Sequence, residues 1–155
     1  MEWPPHITVA CIVEKDGKFL MVKEIKDGRT VYNQPAGHLE PYESLQQAAL
    51  RETLEETAWQ VELESALRVT LFTAPGNGVT YCRTTFVAKA VSHYSNQALD
   101  SDIEEALWLS YDDIIHLKDQ LRSPVVLSDI EHYLEGHRIA LEAFTQYPAP
   151  DAIST

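Results

Sequence analysis

The stretch GHLEPYESLQQAALRETLEETAW, residues 37–59, decides how the rest of the chain is read. Seven glutamates lie between Glu40 and Glu64, with Arg51 the only Lys or Arg among them. Ser44 is placed to cap a helix, and Gln47 three residues on completes a capping box. In that helix Glu52, Glu55 and Glu56 span roughly 100° of one face. The like-charged Glu52 and Glu56 weaken a helix by a few tenths of a kcal/mol, and the macrodipole disfavours them near its C-terminal end. Leu45, Ala48 and Ala49 share their face, so an apolar stripe turns acidic halfway along. Leu50 and Leu54 lie opposite, which predicts a helix packed on both sides. Local stability does not account for the acidic half; a bound divalent cation would.

Outward from this helix, 155 residues of ordinary composition suit one α/β domain, expected over residues 1–147, with a loose tail over 148–155. The net charge of −12 and the absence of any basic run argue against a nucleic acid polymer as partner. A small anionic substrate is still admissible, because bound cations reverse the field inside a pocket. Cys11 and Cys82 sit in apolar segments without metal-ligand spacing and read as buried thiols of a reducing compartment, one disulfide being the alternative. No basic leader and no membrane-length apolar run occurs, so a cytoplasmic protein is expected. Monomer and homodimer both stay open.

Residues 6–13 (HITVACIV) are apolar on both alternating faces, the pattern of a central strand covered on both sides. Asp16–Gly17 signals a hairpin into a return strand over 19–22, and Asp27–Gly28 a second turn into a strand over 30–32. Residues 33–38 (NQPAGH) read as a breaker-rich connection, with Gly37 supplying a conformation closed to other residues. Strands are expected over 61–72, 79–91 and 106–109, and a polar loop over 92–101. A modest helix follows over 112–117, then a last helix opened by Ser123 and Pro124 and closed by Gly136. Strands mixed with helices in this order predict an α/β fold with a mixed sheet.

Gly37, Glu43, Arg51, Glu52, Glu55 and Glu56 stand at the spacings Gly, five residues, Glu, seven residues, Arg-Glu, two residues, Glu-Glu. In this the chain resembles the Nudix hydrolase box at every fixed position. Thr53, Ala58 and Trp59 depart from the box; Ala at a left-handed helix end costs about 1 kcal/mol. HITVACIV, YNQPAGHLE, DSDIEEALWLS and LRSPVV extend the likeness to the NudJ subgroup of phosphatases over about residues 6–140. The resemblance implies an α/β/α sandwich. It further implies hydrolysis of thiamine diphosphate, its pyrimidine precursor diphosphate, or nucleoside di- and triphosphates.

Hydrolysis of a phosphoanhydride needs neutralised phosphate oxygens and an oriented water. Hard carboxylate ligands suit Mg²⁺, or Mn²⁺ in its place. Glu52 and Glu56 are the expected ligands, and Glu55 is ligand or base. The resemblance adds the Gly37 carbonyl and an acid from outside the box, for which Glu104 is the first candidate and Glu105 the second. Glu43 and Arg51 are expected to brace the loop against the helix. Arg83 and Arg122 are candidate phosphate contacts, His38 another, and Tyr32, Phe72 or Tyr81 candidates to stack on a heteroaromatic ring. Rival readings are an ADP-ribose or nucleotide-sugar pyrophosphatase and a non-catalytic nucleotide-sensing module.

Overall fold

The computed structural model describes residues 3–149; of the expected tail, 150–155 lie outside the described residues. Strand β1 (His6–Lys15) turns at Asp16–Gly17 into β2 (Lys18–Lys26), which turns at Asp27–Gly28 into β3 (Arg29–Asn33). Both turns carry positive φ at the Asp and the Gly, the backbone that matches the right-handed twist of a hairpin. Strand β4 (Ala36–His38) precedes helix α1 (Leu45–Thr57), and β5 (Trp59–Thr73) and β6 (Thr80–His93) form a long hairpin. Strand β7 (Ile103–Ser110), α2 (Tyr111–His116) and α3 (Pro124–Leu134) follow.

One half of the mixed sheet runs β4–β1–β6–β5, with β1 and β6 parallel and the other pairs antiparallel. The other half is antiparallel, with β2 between β3 and β7, and it joins β1 only at the hairpin pairs Glu14–Phe19 and Lys15–Lys18. The two faces of β1 serve two cores. Val9, Cys11 and Val13 pack with Ala48, Ala49 and Phe86 on the α1 side, whereas Ile12 packs with Ile114, Val126 and Ile130 of α2 and α3 on the other. The α/β/α sandwich is therefore set by the strand that is apolar on both alternating faces.

Helix α1 begins as the sequence indicates: the Gln47 amide donates to Ser44 Oγ at 3.0 Å and the Ser44 amide to Gln47 Oε1 at 2.8 Å. It ends on Ala58 at φ 61°, the left-handed turn that favours glycine. Thr53 is fully buried and its hydroxyl donates to the Ala49 carbonyl, so a polar side chain fills an aliphatic position without losing its bond. Two expectations change. Leu50 is exposed, so the helix packs on one side only along that stretch. Residues 36–38 form a strand rather than a breaker, because the Thr8–His38, Val9–Gly37 and Ala10–Ala36 pairs use the free edge of β1.

Both cysteines are free thiols, so no disulfide forms. Cys11 is buried and its pKa is pushed up to about 11, chiefly by burial, whereas Cys82 is partly exposed. Among the described residues no helix is long and apolar enough to cross a membrane.

Candidate active site

Strand β4 lies against the second half of α1, and the site forms where they meet. A Cβ built on Gly37 would fall 2.1 Å from Glu52 Cδ and 2.3 Å from each of its carboxylate oxygens. The φ of Gly37 is not in the left-handed region, so the expectation of a special backbone conformation is corrected: glycine is required here for space. One residue earlier, the Ala36 amide donates to Glu56 Oε1 at 2.9 Å. The short strand therefore touches two of the three helix glutamates.

Arg51 binds the loop to the helix. Its Nε and Nη2 donate to the two oxygens of Glu43 at 3.0 and 2.6 Å, and Nη2 also donates to the His38 carbonyl at 3.0 Å. Its Nη1 reaches Glu52 Oε1 at 2.8 Å and Glu55 Oε2 at 3.2 Å. Such a planar fork suits bidentate carboxylate pairing, and the Glu43 hydrogen bonds raise the Arg51 pKa above its ordinary value. Burial alone would raise the Glu43 carboxyl, but hydrogen bonds from Arg51 and the Glu40 amide, with the Arg51 charge, hold it below the ordinary range.

One guanidinium does not balance the carboxylates around it. Burial raises the Glu52 pKa against the pull of Arg51, and the charges of Glu55 and Asp100 add to it. Burial pushes Glu56 up to about 9, despite the Ala36 hydrogen bond, and Glu24, Glu52 and Asp100 raise it further. The side chains of Glu52, Glu55 and Asp100 bring carboxylate oxygens within 4.8 Å of one another. Carboxylates crowd and desolvate in this way where a hard cation replaces the missing positive charge.

The acid that joins the box glutamates from outside is Asp100, which the sequence reading missed. Its amide donates to the Glu55 carbonyl at 3.0 Å, while Gln97 Nε2 donates to the Leu54 carbonyl at 2.9 Å. The loop thus satisfies the last carbonyls of α1 and in doing so delivers a carboxylate. The sequence signal was only an acid at the edge of a polar loop. Glu104 sits on β7 with an exposed side chain 3.9 Å from Lys23 Nζ, and Glu105 pairs opposite Lys23 on β2. Neither belongs to the Glu52–Glu55–Asp100 group.

The candidate substrate contacts separate into two groups. Arg83 is buried; it donates to Asp129 Oδ2 at 3.2 Å and to Gln34 Oε1 at 2.7 Å. Asp129, itself fully buried, also accepts from Thr85 and Arg68, each at 2.7 Å. Arg83 is therefore a structural cation committed to the core, not a free phosphate ligand. Arg122, by contrast, is partly exposed; it pairs with the buried Glu24, and its amide donates to the Tyr32 carbonyl at 2.8 Å. His38 lies close enough to His6, Arg122 and Lys26 that their charges, after partial burial, lower its pKa. His38 thus adjoins the Arg51 clasp through its carbonyl, whereas Arg122 and Tyr32 connect to the site through Glu24, whose charge reaches Glu56. Tyr81 stacks edge-on against His6 and His38, and the two histidine rings meet Nδ1 to Nε2 at 3.1 Å.

A helix carrying this acidic face, a glycine strand pressed on it and a clasping Arg–Glu pair define a Nudix fold, and the NUDIX domain model matches residues 4–129. The chain belongs to the Nudix hydrolase family. It is 38% identical over 146 residues to the phosphatase NudJ of Escherichia coli K12, covering 94% of each chain. It is also 41% identical to the solved structure of a NUDIX hydrolase from Nitrosomonas europaea, with a TM-score of 0.91 over 93% of this chain and 98% of that one. A second NUDIX hydrolase structure from the same organism has a TM-score of 0.71 at 26% identity, covering 90% of this chain and 78% of the other.

Proposed function

We propose that the protein hydrolyses phosphoanhydride bonds of small diphosphates and triphosphates in a Mg²⁺-dependent reaction, with Mn²⁺ as a substitute. Hydroxymethylpyrimidine diphosphate, thiamine diphosphate and nucleoside di- and triphosphates are the favoured substrates. The observation that carries this reading is the convergence of Glu52, Glu55 and Asp100 oxygens within 4.8 Å, beside a glycine with no room for a Cβ. These residues fit a hard divalent cation: the donors are all oxygen and their negative charge is under-compensated. Glu52, Glu56 and Asp100 would hold it, with the Gly37 carbonyl completing the set and Glu55 left free beside it as the base. A bound divalent cation supplies charge neutralisation at the phosphate oxygens and acidifies water.

The chain's own residues do the rest. Glu55, the most exposed of the three helix glutamates, accepts the proton of the attacking water as its oxygen bonds to phosphorus and the bridging P–O bond breaks. Arg51 and Glu43 keep the strand and helix in register while charge moves. Arg122 supplies positive charge and His38 a hydrogen-bonding ring toward the phosphates, and Tyr32 offers a ring to the heterocycle. The similarity to phosphatase NudJ supports this substrate class.

The test is a panel of hydroxymethylpyrimidine diphosphate, thiamine diphosphate, nucleoside di- and triphosphates and ADP-ribose, incubated with the protein and Mg²⁺. Phosphate and pyrophosphate release are scored separately. Turnover of the first three classes that disappears in E56Q supports the reading. Cleavage of ADP-ribose alone, or turnover unchanged in E56Q, rejects it.

A further inference from the structure

Helix α3 ends in a turn that brings together three metal-ligating side chains outside the acidic cluster, which the hydrolase reading does not use. The helix runs Pro124–Leu134, and Gly136 follows at φ +90°, a backbone that reverses the chain and that a side chain would strain. The reversal lays the His137 ring on that of His132: the centroids are 3.9 Å apart and the planes differ by 11°. His137 Nε2 also lies 3.2 Å from Glu135 Oε2. Ligand atoms of His132, Glu135 and His137 all fall within 4.8 Å of one another.

We propose that His132, Glu135 and His137 form a second metal site, selective for a borderline transition cation such as Zn²⁺. Two imidazoles and one carboxylate are the donor set of a three-ligand zinc site, whose fourth position is left to water. Tetrahedral Zn²⁺ wants its ligand atoms about 3.3 Å apart and in the plane of each imidazole, so the exposed His137 ring has to turn out of its stack with His132 to aim a nitrogen at the shared ion. The last carbonyls of α3 present the negative end of its dipole to a cation there. Arg138 shares that helix end: its guanidinium lies over the Tyr133 ring and donates to the Tyr133 and His137 carbonyls. Mg²⁺ is a poor occupant, because it prefers all-oxygen ligands and gives up water reluctantly. The eleven residues of α3 separate this cluster from Arg122 by about 16 Å.

Calorimetric titration of the full chain with Zn²⁺, in excess Mg²⁺ to keep the catalytic carboxylates filled, tests the proposal. One equivalent of Zn²⁺ binds the wild type and raises its Tm. In H132A and in H137A the affinity falls by more than about tenfold and the rise in Tm is lost. H6A, which removes the histidine pair at the mouth of the acidic cluster, keeps both. His137 lies in the loop beyond the helix, so H137A carries the test even if H132A perturbs folding. No binding by the wild type, equal binding by H137A, or loss in H6A with retention in H137A each overturns the proposal.

Discussion

A methyl group on Gly37 would occupy the space now held by the carboxylate of Glu52, 2.1 Å from its Cδ. The obstructing atoms are the end of a flexible side chain, so the conflict resolves by moving Glu52 rather than by unfolding. Gly37→Ala is therefore expected to fold with near-wild-type Tm while its Mg²⁺ affinity falls about 10–100-fold. Activity against Mg²⁺ concentration, together with a thermal melt, checks both halves.

Glu56 carries the clearest pH signature. Its folded pKa of about 9 exceeds the 4.5 of an unfolded glutamate, so between these values the native state binds more protons than the unfolded state. Stability of the metal-free protein then falls as pH rises through this window, relative to Glu56→Gln, which has nothing to ionise. Denaturant melts of both proteins at pH 5, 7 and 9 (roughly the span of the two pKa values) would show a widening gap in favour of the Gln variant. Adding Mg²⁺ at neutral pH should release a proton from the wild type and none from E56Q, read in a weakly buffered indicator assay.

Asp100 and Glu104 make opposite predictions. Asp100→Asn removes a carboxylate from the Glu52–Glu55 group and should raise the Mg²⁺ concentration needed for half-maximal rate by about tenfold. Glu104→Gln loses only an exposed contact to Lys23 and should leave the Mg²⁺ dependence unchanged. Metal titrations of the two variants side by side decide the matter.

Asp129→Ala leaves the buried Arg83 guanidinium without its carboxylate and should cost about 3–5 kcal/mol of stability. Equilibrium urea unfolding measures it. The same experiment on Ala58→Gly should show the reverse sign: relief of the left-handed strain at φ 61° is expected to add about 1 kcal/mol.

These residues also mark how far the sequence can be read. The capping box, the twin Asp-Gly turns and the doubly apolar β1 depend on neighbours a few positions apart, and all were visible in order along the chain. The box carboxylates were visible because their spacing matches a helix face. Asp100 was not, because it enters the cluster only when its loop folds back onto the end of α1, 45 residues earlier in the chain. Arg83 reads as a free cation because its partner Asp129 is 46 positions away, on helix α3. The demand for glycine at position 37 is spatial rather than conformational. A three-residue strand leaves no periodicity, and the demand on it comes from Glu52 across space.

The loop over residues 94–100 acts as a measuring rod. Its two ends are pinned to α1 by the Tyr94 amide on the Ala58 carbonyl and the Asp100 amide on the Glu55 carbonyl. Its length is therefore part of the acidic cluster's specification, although none of its residues belongs to the box. Inserting or deleting a single residue there would carry Asp100 out of reach while leaving every box residue intact. In a chain of this kind, an unbroken signature and an assembled site are separate inheritances.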